Sequence, residues 1–128
     1  MKERLSEEVV AMRAAAELRP GDYCNLGVGL PSLCAVYVPE GVYFEAENEC
    51  LGYGPLLTED DWQKVDLGLI DAAGRFFSPA PGMSFPDMLT SFAMIRSGRL
   101  ISVMGGLQVS EKGDLANYSM GEGDQYPL

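Results

Sequence analysis

The stretch from Tyr23 to Ala46, YCNLGVGLPSLCAVYVPEGVYFEA, decides the fold. Its first residues, Tyr23 to Val28, form a short apolar run that reads as a buried strand, entered through the turn cluster Pro20-Gly21-Asp22. Gly27 and Gly29 then loosen the chain, and Pro31 stands where the first turn of a helix tolerates a proline. From Pro31 the segment runs through Leu33, Cys34 and Val36 to Val38 as a short helix, stopped by Pro39-Glu40-Gly41. Val42 to Ala46 alternates and is rich in aromatic and β-branched side chains, which suits a second strand. Strand, short helix, strand implies parallel pairing, since parallel neighbours need a crossover between them. The expected fold class is α/β, an open and mostly parallel sheet flanked by helices.

Outward from this unit the pattern stays consistent. Leu5, Val9, Met12 and Ala16 fall on one helical face, which predicts an amphipathic opening helix that buries that face. Leu51 to Pro55 reads as an irregular glycine loop, and Thr58 to Lys64 as a surface helical turn or loop. Ser84-Phe85-Pro86-Asp87 has the form of a capping box, and Phe85, Met88, Leu89, Phe92 and Ile95 recur at helical spacing up to Gly98, which predicts a helix over 84–97. Arg96 and Arg99 at its end complement the helix dipole. Leu100 to Met104 reads as a strand feeding Gly105-Gly106, and Leu107 to Ser110 as another that ends at the turn Glu111-Lys112-Gly113-Asp114. From Met120 the chain is glycine-rich and acidic, a segment expected to need a partner surface to anchor it.

Composition excludes several kinds of function. A length of 128 residues suits one domain, so residues 1–128 are expected to form a single unit. Lys+Arg 9 against Asp+Glu 19 gives a net charge of -10, a field that repels nucleic acid and anionic lipid surfaces. No apolar run approaches the roughly 18 residues that span a bilayer. With His 0, every mechanism that needs an imidazole is excluded within this chain. Cys24, Cys34 and Cys50 are odd in number and make no Cys-x-x-Cys, so they read as core thiols of a cytoplasmic protein rather than as a disulfide framework or a metal site.

Two places carry candidate chemistry. Asn25-Leu26-Gly27-Val28-Gly29-Leu30-Pro31 is a glycine loop between a strand and a helix start, where backbone N–H groups can receive an anion; the same pattern is also what a plain tight turn requires. In Glu45-Ala46-Glu47-Asn48-Glu49, three carboxylates at period two share a face if the strand continues that far. Either that face is solvated, or the strand breaks near Glu47 and the carboxylates diverge, or one acid stands beside a substrate.

Taken in order, Asn25-Leu26-Gly27-Val28-Gly29-Leu30-Pro31, Ala46-Glu47-Asn48, Leu51-Gly52-Tyr53-Gly54-Pro55, Pro81-Gly82-Met83-Ser84-Phe85, Ser91-Phe92-Ala93-Met94-Ile95-Arg96, Gly105-Gly106-Leu107-Gln108-Val109-Ser110 and Gly113-Asp114-Leu115-Ala116-Asn117 resemble the β subunit of 3-oxoacid CoA-transferases. The resemblance covers nearly the whole chain. It implies an enzyme that moves CoA between an acyl-CoA and a 3-oxo or dicarboxylic acid, in which a glutamate attacks the thioester and passes through an acyl anhydride to a glutamyl-CoA thioester. Glu47 falls on that glutamate. Asn25 falls on an active-site amide beside it, and Gly27, Gly29, Asn48 and Gly52 on substrate and CoA binding. The resemblance further implies a CoA-transferase α subunit as partner, a homo- or hetero-oligomer, no tightly bound cofactor and CoA thioester as substrate.

Three departures stand out. Glu49 occupies the family's glycine, a position that strains any other residue if it needs positive φ, and it adds a like charge beside the nucleophile. Ala46 replaces the family's serine. The family also continues into a Gly-Gly-Ala-Met-Asp-Leu stretch beyond the point matched by Leu128, so the expectation is a domain truncated at its C-terminus. That motivates an alternative of a different class, a catalytically inert homologue acting as a binding or self-assembling module. A third reading is a domain that binds a small acid without turnover.

Overall fold

A computed structural model describes residues 4–117 of the chain. In chain order the elements are α1 (Glu7–Ala15), β1 (Tyr23–Leu26), a 3-10 helix (Leu30–Val36), β2 (Tyr43–Ala46), β3 (Cys50–Leu51), a second 3-10 helix (Glu59–Lys64), α2 (Met88–Arg96), β4 (Ile101–Val103), β5 (Gln108–Val109) and β6 (Leu115–Ala116). The first four strands form one sheet in the order β3-β2-β1-β4. β1 pairs in parallel with β2, Cys24 opposite Phe44, and with β4, Cys24 opposite Ile101, while β3 closes one edge antiparallel to β2. The sheet is thus mostly parallel, as the crossover after Leu26 requires.

The core lies between the sheet and the loops that cover it. Leu18, Cys24, Phe44, Ala46, Cys50, Tyr53 and Phe77 pack together, with the Tyr53 and Phe77 rings stacked 4.5 Å apart. A Cβ on Gly54 would lie 2.5 Å from the Ser78 carbonyl, so only glycine lets these two backbones approach and lets the Gly54 amide donate to that same oxygen at 2.9 Å. All three cysteines are free and buried, in agreement with core thiols.

Four expectations need correction. The face that α1 buries is Ala11 and Ala15, which meet Cys34 of the first 3-10 helix; Leu5, Val9 and Met12 are exposed. Small side chains let the two backbones come close, and the bulky stripe is turned outward. The helix expected at Ser84 begins at Met88, with Asp87 as its N-cap accepting from the Thr90 amide at 3.0 Å. Pro86 disfavours helical geometry at Phe85, and the Ser84 backbone instead pairs with Leu51. Of the expected apolar stripe on that helix, Phe85, Met88 and Leu89 are exposed. Leu51 belongs to β3 rather than to an irregular loop, and Leu115–Ala116 returns as β6 beside β5 after the Gly113 turn. The surface turn at Thr58 to Lys64, the Gly98 stop and the strand near Ile101 are where the sequence puts them. The expectation about the segment from Met120 lies outside the described residues.

Candidate active site

Parallel pairing brings the exits of β1 and β2 to the same edge of the sheet. Because Asn25 is opposite Glu45, the chain leaves β1 into Gly27 and leaves β2 into Glu47 side by side. β1 also has parallel neighbours on both flanks, and a crevice beyond the carboxyl end of such a strand is where open α/β sheets place ligands.

The three carboxylates diverge here, because the strand stops at Ala46. Glu45 still belongs to β2 and is only 1% exposed. Its Oε2 accepts from Asn25 Nδ2 at 3.0 Å, and its Oε1 accepts from the Ser91 hydroxyl of α2. Both donors are buried as well. Glu47 lies exposed in the turn that leads to β3, and among the described residues nothing donates a hydrogen bond to its carboxylate. The neighbouring Asn48 is also exposed, its Nδ2 donating to the Ile70 carbonyl at 2.8 Å. Glu49 has φ 75, the one non-glycine residue with positive φ among those described. An exposed carboxylate on a turn, with a buried one anchored two residues before it, can meet an electrophile that approaches this edge of the sheet.

The family resemblance implies Asn25 as a neighbour of Glu47; in the structure its amide nitrogen is engaged by Glu45, through the carboxylate and, at 3.5 Å, the backbone carbonyl. Gly27 does not offer a free amide either, since its N–H donates to the Val103 carbonyl at 2.9 Å. Gly29 turns the chain at φ 87, and Gly52, at φ 70, donates its N–H to Phe44. Both serve turns whose geometry favours glycine.

The loop from Ile70 to Arg75 is part of the site's frame and escaped sequence reasoning. Asp71 is buried, and its Oδ1 accepts from the Ala73 and Arg75 amides while its Oδ2 accepts from the Arg75 guanidinium. Arg75 Nη1 in turn donates to the Ser32 carbonyl at 2.7 Å. One loop therefore touches the Glu47 turn through Asn48 and the segment after the glycine loop through Ser32. An Asp followed three residues later by Gly and then Arg is a turn signal that was there to be found. Burial pushes up the Cys24, Cys34 and Cys50 thiols, to about 12 for Cys24 and about 11 for Cys50, and burial also raises the Tyr53 phenol. Among the described residues no three acidic or thiol groups gather as a metal-binding cluster, and no helix is long and apolar enough to cross a membrane.

Residues 8–127 match the family described as coenzyme A transferase. The chain belongs to that family. It is 41% identical over 116 residues to the beta subunit of the acetate CoA-transferase of Escherichia coli, covering 88% of this chain and 51% of that protein. It is 43% identical over 113 residues to the corresponding subunit of the succinyl-CoA:3-ketoacid coenzyme A transferase of Helicobacter pylori, covering 87% of this chain and 53% of the relative. With the human mitochondrial succinyl-CoA:3-ketoacid coenzyme A transferase 2 it shares 40% over 120 residues, 91% of this chain and 23% of that one. The bacterial relatives place it on the β-subunit side of the coenzyme A transferases, and it spans about half of their length.

Within that family setting, Glu49 is the residue whose geometry conflicts with its type. Left-handed backbone costs a non-glycine residue roughly 1–2 kcal/mol. Glycine gives back part of that through its freer unfolded chain. Glu49→Gly is expected to stabilise the fold by about 1 kcal/mol and to raise Tm by about 4 °C. Differential scanning calorimetry checks this, and an unchanged or lower Tm contradicts it.

Proposed function

We propose that this chain carries the nucleophile of a CoA-transferase, with Glu47 attacking an acyl-CoA. The observation that carries the reading is the exposure of Glu47, free of any hydrogen-bond donor among the described residues, at the carboxyl edge of the parallel strands. A carboxylate suits the task because it is anionic at neutral pH and needs no imidazole, which this chain lacks.

The steps balance without an external oxidant or metal. A Glu47 oxygen bonds to the thioester carbonyl carbon, the C–S bond breaks, and CoA thiolate leaves an acyl-glutamyl anhydride. The thiolate then attacks the glutamyl carbonyl, releasing the first acid as a carboxylate and leaving CoA on Glu47 as a thioester. An incoming carboxylate attacks that thioester, and the released thiolate takes the new acyl group, freeing Glu47. Binding energy from the nonreacting part of CoA presses the thioester against the carboxylate. In this reading CoA is substrate, and no tightly bound cofactor is needed.

Relatives named for succinyl-CoA and 3-ketoacid support a 3-oxo or dicarboxylic acid as the partner acid. Their names, each that of one subunit among several, support an α subunit that completes the enzyme as an oligomer. Asn48, Gly27, Gly29 and Gly52 would frame the acyl-CoA as turn residues, and Asn25 from beneath through Glu45. Three free, buried thiols suit a reducing compartment such as the cytoplasm.

Intact mass under denaturing conditions tests the reading. After incubation with succinyl-CoA or acetoacetyl-CoA, with a family α subunit present, the chain is expected to gain a CoA-sized mass that Glu47→Ala does not gain. Retention of the adduct in Glu47→Ala, or its absence from a folded native chain with and without the α subunit, overturns it.

A further inference from the structure

Three buried groups at the end of β2 are not accounted for by a nucleophile on the turn. On a strand buried at Phe44, Glu45 and Ala46, an apolar side chain is the ordinary occupant, and a carboxylate there is costly unless its oxygens are satisfied. At Glu45 they are satisfied from two directions, by Asn25 of β1 and by Ser91 of α2.

Ser91 is 0% exposed and is the one buried residue of α2. The helix is poorly held by apolar packing. Met88 and Leu89 face outward, and a groove of about 620 Å³ lined by Tyr23, Leu51, Thr90, Met94 and Arg99 runs along it. A second link joins the same elements, since Glu45 pairs with Leu51 across the Glu47 turn, and Leu51 pairs with Ser84 just ahead of the α2 cap. The turn that holds Glu47 is therefore closed at its base by Glu45–Leu51 and Ala46–Cys50, with α2 attached to it through Ser84 and Ser91.

We infer that Glu45 is a positioning residue, a buried carboxylate that seats α2 on the sheet and fixes the strand end from which the Glu47 turn departs. The inference rests on the reading of Glu47 as nucleophile for its catalytic consequence, and on the Asn25–Glu45–Ser91 geometry for its structural one. Asn25 takes part by spending its amide protons on Glu45, which leaves its carbonyl oxygen as the group it presents to other neighbours.

The test pairs the 128-residue chain with a family α subunit, and compares it with the variants Glu45→Gln and Ser91→Ala, both of which preserve size more closely than Glu45→Ala. Two readouts are taken. Native-state hydrogen exchange follows the hydrogen-bonded amides at the base of the turn, those of Leu51, Gly52 and Ser84, against those of Cys24 and Asn25, and CoA-adduct formation is followed against succinyl-CoA concentration. In both variants the turn-base amides are expected to exchange about tenfold faster relative to the β1 amides. The adduct rate at saturating succinyl-CoA is expected to fall about tenfold, with the half-saturating concentration unchanged. Turn-base exchange unchanged relative to β1 in both variants overturns the inference. So does an adduct rate that stays at the native value, or a loss confined to the half-saturating concentration. If the native chain forms no adduct, the nucleophile reading fails and the exchange ratio alone decides whether Glu45 fixes the turn.

Discussion

Asp71→Ala is expected to destabilise the chain by about 3–5 kcal/mol, a large part of the stability of a domain this size. The carboxylate is buried and satisfies four donors, two backbone amides and two nitrogens of Arg75. The Arg75 side chain is itself three-quarters covered, so its charge would be left in a poorly solvated place with one hydrogen bond, to the Ser32 carbonyl. Breaking one partner of a buried pair costs far more than an exposed ion pair contributes. Asp71→Asn keeps the volume and one acceptor but turns an N–H₂ toward the guanidinium, and it should fall between the native chain and Asp71→Ala. Urea unfolding followed by circular dichroism measures both. A loss below about 1 kcal/mol for Asp71→Ala, the range of an exposed pair, would show that the Arg75 clamp is not holding the loop.

The effect reaches the proposed site because of where the clamp is fastened. Ile70, which receives Asn48, precedes Asp71, and Ser32, which receives Arg75, follows the glycine loop. Loosening Asp71 therefore releases the Glu47 turn and the segment after Gly29 together.

What the sequence made legible follows from which physical constraints are local. The glycines at Gly27 and Gly29, the proline at Pro31 and the apolar run before them restrict the backbone within a few residues, and so the parallel β1–β2 unit could be read directly. Glu49 was legible only through the glycine that the resembled family carries at that position, since nothing in the neighbouring residues says that the turn needs positive φ. The burial of Glu45 was not. In a chain of net charge -10, a carboxylate at period two looks solvated, and only the arrival of Ser91 from 46 residues away makes it an interior group. The start of α2 was misplaced because Ser84 and Asp87 both fit a cap, and the choice between them was made by Pro86 and by a backbone pairing with Leu51 that no local pattern contains. The buried face of α1 depended likewise on how closely a second segment approaches, which favoured Ala11 and Ala15 over the larger stripe.

Raising the pH from 8 to 10.5 is expected to cost the fold about 4 kcal/mol, most of it from two thiols. Burial, reinforced by the neighbouring Cys34 and Asp22, pushes Cys24 from 9.0 up to about 12. Burial, with Glu45 nearby, pushes Cys50 from 9.0 up to about 11. Both are raised in the folded chain, so their contribution is fully present below pH 9, where the unfolded thiols are still protonated, and is lost progressively above it until the pH has passed about 11 for Cys50 and about 12 for Cys24. Thermal midpoints should be level from pH 7 to 9 and fall steeply beyond it, and Cys24→Ala should make that fall shallower. A level profile between pH 9 and 10.5 would contradict the burial of these thiols. The same burial bears on the chemistry, because a thiol kept neutral and covered at pH 8 does not compete for an acyl-CoA. Ellman's reagent should find no fast-reacting cysteine in the native chain and all 3 after unfolding. Under that condition a CoA-sized adduct formed on the native chain at pH 8 has a carboxylate as its site, and the loss of that adduct in Glu47→Ala identifies which one.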